Sequence, residues 1–229
     1  MDATLSQPIY RSATQINEAM GRVYFHMMLA VLTSMLASFW VGTTPELVQF
    51  FFTGWVKWLV IFAPLAAVFV VTIAINADPP RPVSVALLHG FAALMGLSFA
   101  AIFAVYVMTS IVSAFLGAAV LFATLSIWGY FTKQSLDSWG KYLMIGLIAV
   151  IVTSIINVFV GSSALQTLIS AAAVVIFLAL TAYDTQKIRE TVSVEGGAGS
   201  EEILGALSLY LNFINIFLSL LQLFGDRKE

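Results

Sequence analysis

Residues 209–225 read LYLNFINIFLSLLQLFG, and how that stretch is interpreted decides the fold. It is apolar enough to sit in lipid. Yet Asn212, Asn215, Ser219 and Gln222 recur at steps of three, four and three, with Ser208 one turn before Asn212. On an α-helix those steps place all five polar side chains on one face. Polar groups facing hydrocarbon are costly, so this face must meet protein or water. A helix with such a stripe belongs inside a bundle of other spans, or beside a wet cavity.

The rest of the chain supplies the bundle. Of 229 residues, 60% are hydrophobic and 10% charged. Soluble domains run at about 45–50% apolar and about 25% charged. One core of this size could not hide that much apolar surface from water, so the composition predicts an integral membrane protein. Seven segments reach the roughly 20 apolar residues a span needs, at about 22–41, 55–76, 83–107, 111–131, 140–160, 165–187 and 203–224. Turn chemistry separates them: GTTPE, NADPPRP, TKQSLDSWG, VGSS and SVEGGAGSEE. The break near Thr109–Ser110 is marked only by a short polar dip. In lipid each backbone group needs an internal partner, so the segments are expected to be helices. No ten-residue units with period-2 alternation suggest a barrel.

The N-terminus, MDATLSQPIYRSATQINEAMGRVYF, is polar, carries Asp2 and Glu18, and does not read as a removable leader. Residues 1–21 read as a cytoplasmic segment, and 22–229 as one transmembrane helical domain. With the N-terminus inside and seven spans, Arg11, Arg22, Arg81, Lys133, Lys141, Lys187 and Arg189 face the cytoplasm. Lys57, Arg227 and Lys228 face out. This positive-inside bias sets the orientation. It would be stronger still if the last segment dipped in and returned, so only its length argues that it crosses.

Several function classes drop out. Without cysteine there are no disulfides and no thiol chemistry. The net charge of −2 offers nothing to nucleic acid. His26 and His89 are too few for a zinc hydrolase, and there is neither a phosphate-binding glycine loop nor a nucleophile elbow. The chain does not read as an enzyme, and no cofactor is expected.

One acidic residue stands apart. Asp184, in LALTAYDTQKIRE, lies about one turn inside the end of the sixth apolar run, before Lys187 and Arg189. Two readings stay open. It is an interfacial carboxylate paired with Lys187 or Arg189, or it is an ionisable group on an ion or proton path. By contrast, Asp137, Glu201 and Glu202 sit where a carboxylate suits a helix N-terminus. The polar stripe has the same two readings, as packing glue or as the lining of a path.

AYDTQKI at 182–188, followed by ALSLYLNFINIFLSLLQLFG at 206–225, resembles the Bax inhibitor-1 family of membrane proteins in its bacterial branch. So do ATLSIWGYFTKQSLDSWGKYLMIGLIAVIVTSIINVFV at 123–160 and GRVYFHMMLAVLTSMLASFW at 21–40. The resemblance implies seven transmembrane helices with the last helix in the middle. It implies a bacterial inner (plasma) membrane location. It also implies passive, pH-sensitive calcium leak, suppression of cell death, or contact with a membrane-bound quality-control protease. In the calcium-leak members two aspartates on the last two helices share a proton, because adjacent carboxylates cannot both ionise cheaply. Asp184 matches the first of them, but Asn212 stands at the second. Asparagine bonds a carboxylate or a carboxylic acid but does not titrate. Proton sensing should therefore be simpler here. Calcium, which prefers several charged oxygens, should be held only weakly, with Asp184 as its one carboxylate ligand. On this reading Asp184 is the gate, Asn212 its partner, and Ser208, Asn215 and Ser219 line the path. The competing expectation is a non-conducting interaction protein that contacts a membrane protease or other membrane proteins through residues 1–21.

Overall fold

The computed structural model describes residues 10–194 and 199–228. Among these, the elements in chain order are α1 Ala13–Gly42, α2 Pro45–Phe52, α3 Val56–Asn76, α4 Arg81–Phe99, α5 Ile102–Val105, α6 Met108–Phe131, α7 Asp137–Val160, α8 Ser163–Thr191 and α9 Ser200–Phe224. Pairing of extended backbone is limited to isolated bridges, Tyr10 with Val194 and Tyr106 with Arg227. Seven helices are long and apolar enough to cross a membrane: α1, α3, α4 continued through α5, α6, α7, α8 and α9. The chain is an all-α integral membrane protein.

The apolar faces point both ways, as they must when lipid is the solvent. Phe159, Val158 and Phe69 are among the most exposed side chains. Hydroxyls within the spans are tied locally, whether buried or not. Thr33, Ser34, Thr124, Thr153 and Thr181 each donate to the carbonyl one turn back, which neutralises a hydroxyl without a partner helix. Helix α7 is the outermost span, with 6% of its most apolar 18-residue window buried. Helix α9 is the most covered, at 67% against at most 33% elsewhere, and it packs on α1, α3, α4, α6 and α8. At about 1.5 Å per residue its 25 residues run about 37 Å, more than a hydrocarbon core of about 30 Å.

Element ends differ from the sequence expectation where capping, not hydropathy, sets them. Helix α1 begins at Ala13, well before residue 22, because Ser12 and Gln15 form a reciprocal capping box. Within the expected N-terminal segment 1–21, residues 1–9 lie outside the described residues. Residues 10–12 are tied down instead: Arg11 N–H donates to the Ser193 carbonyl at 2.8 Å, and its guanidinium to the Val192 carbonyl at 3.0 Å.

The break between the third and fourth spans falls at Tyr106–Val107, not at Thr109–Ser110. Breaking a helix in lipid frees backbone groups that need new partners. The residues after α9 supply them. Val107 N–H donates to the Asp226 carbonyl at 3.1 Å, Lys228 N–H to the Val105 carbonyl at 2.9 Å, and Lys228 Nζ to the Phe103 carbonyl at 2.8 Å.

Candidate functional site

The stripe of α9 is not one continuous polar line. Near its N-terminal end, Ser208 Oγ and Asn212 Nδ2 both donate to Asp184 Oδ2, each at 2.7 Å. Near its C-terminal end, Gln222 Oε1 accepts from Gln166 Nε2 at 2.7 Å and from Ser170 Oγ at 2.8 Å. Between these clusters, Asn215 returns its amide to the carbonyl of Leu211 in its own helix, at 2.8 Å. Ser219 is buried, with no side-chain bond to Asp184 among the described residues. So Asp184, Ser208 and Asn212 converge, whereas Asn215 and Ser219 stand one to two turns beyond them.

Asp184 itself is half-buried on α8 and faces α9. Its pairing with Lys187 or Arg189 does not occur. Lys187 instead reaches Asp137 at 2.9 Å and Glu190 at 3.2 Å. Arg189 donates to the Tyr130 carbonyl at 2.8 Å and stacks over the Tyr130 ring. The reason is helical geometry. Positions 187 and 189 turn toward the loop joining α6 and α7, while 184 turns inward. Gln186 helps to hold that loop, accepting from Leu136 N–H at 2.7 Å and donating to the Gln134 carbonyl at 2.9 Å.

Both hydrogen bonds reach the same carboxylate oxygen. Asp184 Oδ1 takes none among the described residues. One acceptor is thus held and one is free, an arrangement suited to passing a proton or a solvated cation. The set is thin for a resident metal. Among the described residues no three His, Cys, Asp or Glu side chains cluster as metal ligands, and calcium takes six to eight oxygens.

Three residues beside the site went unnoticed in the sequence. Ser126 of α6 lies 3.0 Å from Thr185 and 2.5 Å from Tyr24 of α1. This hydroxyl chain joins α1, α6 and α8 one residue beyond Asp184. The available signal was Ser126 in an otherwise apolar run and Thr185 next to Asp184.

A second charged site also escaped the reading of Glu202 as a simple helix-terminus acid. Glu202 is 4% exposed, and both its oxygens are bound. Arg22 grips them at 2.9 and 2.6 Å, and Arg81 adds a bond at 3.0 Å. The two guanidiniums come from 180 and 121 positions away, which no local pattern reveals. Deeper along α1 and α4, His89 Nδ1 lies 3.1 Å from Thr33 Oγ1, and His26 Nδ1 is buried with no partner among the described residues.

Comparison with known proteins follows the same outline. A family profile described as "Bax1-I: Inhibitor of apoptosis-promoting Bax1" matches residues 16–229. The chain is 34% identical to "Inner membrane protein YbhL" of Escherichia coli (strain K12), over 97% of each chain. It is 35% identical to the protein YrjE of Lactococcus lactis, over 92% of this chain and 91% of that one. It is 31% identical to the protein RP147 of Rickettsia prowazekii, over 92% and 90%. With the profile and these relatives matching along nearly the whole chain, the chain belongs to the Bax inhibitor-1 family.

Proposed function

We propose that this protein is a slow cation leak, with calcium the plausible cargo, gated around Asp184. The observation that carries the reading is the free Asp184 Oδ1 on a membrane-crossing helix, beside an oxygen fixed by Ser208 and Asn212. An ionisable group at that depth is expensive to keep and is retained for function by default. On this reading the gate is the apolar contact of Phe213 and Phe217 of α9, edge-on against Phe115 of α6. Opening would require α9 to shift against α6 and α8.

We place the protein in the inner membrane, with the N-terminus cytoplasmic. The printed name of YbhL supports the location. The orientation is supported by Arg11, Arg22, Arg81, Lys187 and Arg189 all lying at the end of the bundle where α9 begins.

The test is calcium flux into liposomes across a pH series. Wild type is expected to leak above empty vesicles. Asp184→Asn should lower the flux about tenfold and flatten its pH response, because the amide cannot carry the proton or the charge. Asn212→Asp should steepen the pH response, since two carboxylates at this spacing share one proton. Equal flux from wild type and Asp184→Asn at every pH would end this reading.

One observation favours a second reading. The stripe is consumed by pairwise bonds at its two ends, which is what interhelical glue does, at about 0.6 kcal/mol per contact. In that case the chain is a non-conducting partner of a membrane protease or another membrane protein. Wild-type liposomes that leak no faster than empty ones would bring it forward.

A further inference from the structure

We propose that the α9 C-terminal end of the bundle holds one anionic phospholipid, its acyl chain in a side-opening cavity and its phosphate on Lys228. The cavity, about 380 Å³, lies between α1, α6 and α9 and is walled by the helix break at α5. Phe99, Phe103, Phe115 and Phe217 line its depth, while Leu36 and Val112 on its rim are 64% and 49% exposed. In a membrane-spanning chain that rim faces hydrocarbon, not water. An apolar hollow open to lipid is filled by what surrounds it, an acyl chain.

The headgroup preference comes from the break. Phe103, on the cavity wall, gives its backbone carbonyl to Lys228 Nζ at 2.8 Å. Among the described residues Nζ has no second partner, and an ammonium has three protons, so two are open to a phosphate. Of the acids beside Lys228 in sequence, Asp226 turns away from the cavity, and Glu229 lies outside the described residues. Asp226 Oδ2 faces Ser110 at 3.5 Å and borders a separate depression with Thr109, Ser113 and Phe224. The level is right for a headgroup. Trp40, Trp55 and Trp58, exposed at 69%, 71% and 55%, sit at this same end of α1 and α3, where interfacial aromatics belong. Phe39, one residue before Trp40, packs edge-on against Phe103, which ties that level to the cavity.

The test is native mass spectrometry of the full-length protein in detergent, titrated with phosphatidylglycerol or phosphatidylcholine of identical acyl chains. Wild type should retain one phosphatidylglycerol per chain, about fivefold more tightly than phosphatidylcholine, as expected for one cation near a headgroup. Lys228→Gln should erase the preference, and Lys228→Arg should keep it. Val112→Trp, at a half-exposed rim position, should lower retention of both lipids. Equal retention of the two lipids by wild type, or unchanged phosphatidylglycerol retention in Val112→Trp, would overturn the proposal. These outcomes are read from binding alone, so they stand apart from any result on flux.

Discussion

Gly129→Ala is expected to destabilise the protein by about 1–3 kcal/mol, although alanine is the better helix former. A Cβ at this buried α6 position would lie 2.3 Å from the Ala182 carbonyl oxygen, 2.8 Å from its Cα and 2.9 Å from its carbonyl carbon. All three are backbone atoms of α8, so nothing can rotate away. The helix-propensity gain of up to about 1 kcal/mol is smaller than the cost of forcing two spans apart. The damage would also reach the site, because Ser126 and Thr185 meet across the same contact at 3.0 Å. Gly90→Ala in α4 is the control. Its Cβ would meet nothing within 4 Å, so it should raise stability by about 0.5–1 kcal/mol. Thermal unfolding in detergent, followed by tryptophan fluorescence, reads both. A melting temperature for Gly129→Ala at or above wild type would mean that α6 and α8 do not approach this closely.

Glu202→Gln is expected to cost about 2–3 kcal/mol. Breaking a buried ion pair typically costs about 3–5 kcal/mol, because the surviving charge is left unpaired. Here the survivors are Arg22 and Arg81, whose side chains are 42% and 41% exposed, so water recovers part of the loss. The carboxylate joins α1, nine residues beyond its first, to the starts of α4 and α9, so its loss should loosen all three together. A double-mutant cycle with Arg22→Gln should return a coupling of about 1–3 kcal/mol. A change for Glu202→Gln within about 0.5 kcal/mol of zero would show that the triad is ornamental.

The glutamate also illustrates what could and could not be read beforehand. Glu202 follows Glu201 at a helix start, where a carboxylate has a local reason to be, and that reason hid the distant one. Asp184 also had a local reading, as a partner of Lys187 or Arg189, and the structure gives it Ser208 and Asn212 in their place. Its bonds to Ser208 and Asn212 lie on the face that the stripe's spacing predicted. That the stripe divides into two clusters, with Asn215 turned back on its own helix, was not legible. Spacing states which face a side chain occupies. Whether a partner stands opposite depends on another helix.

By itself the sequence determined the solvent, the number of spans and the inward face of the last one. Each follows from a one-dimensional quantity: the apolar fraction, the length of an uninterrupted apolar run, and the 3.6-residue period. The tertiary structure alone decided which polar groups meet. Arg22 and Arg81 converging on Glu202, Tyr24 and Ser126 meeting beside Thr185, and Lys228 closing the break at Phe103 all join residues dozens to well over a hundred positions apart. Hydrocarbon leaves a polar group only its own helix or a neighbouring one to bond, so pairings of this kind form as the helices pack. Their identity is set by the packing, which no local pattern encodes.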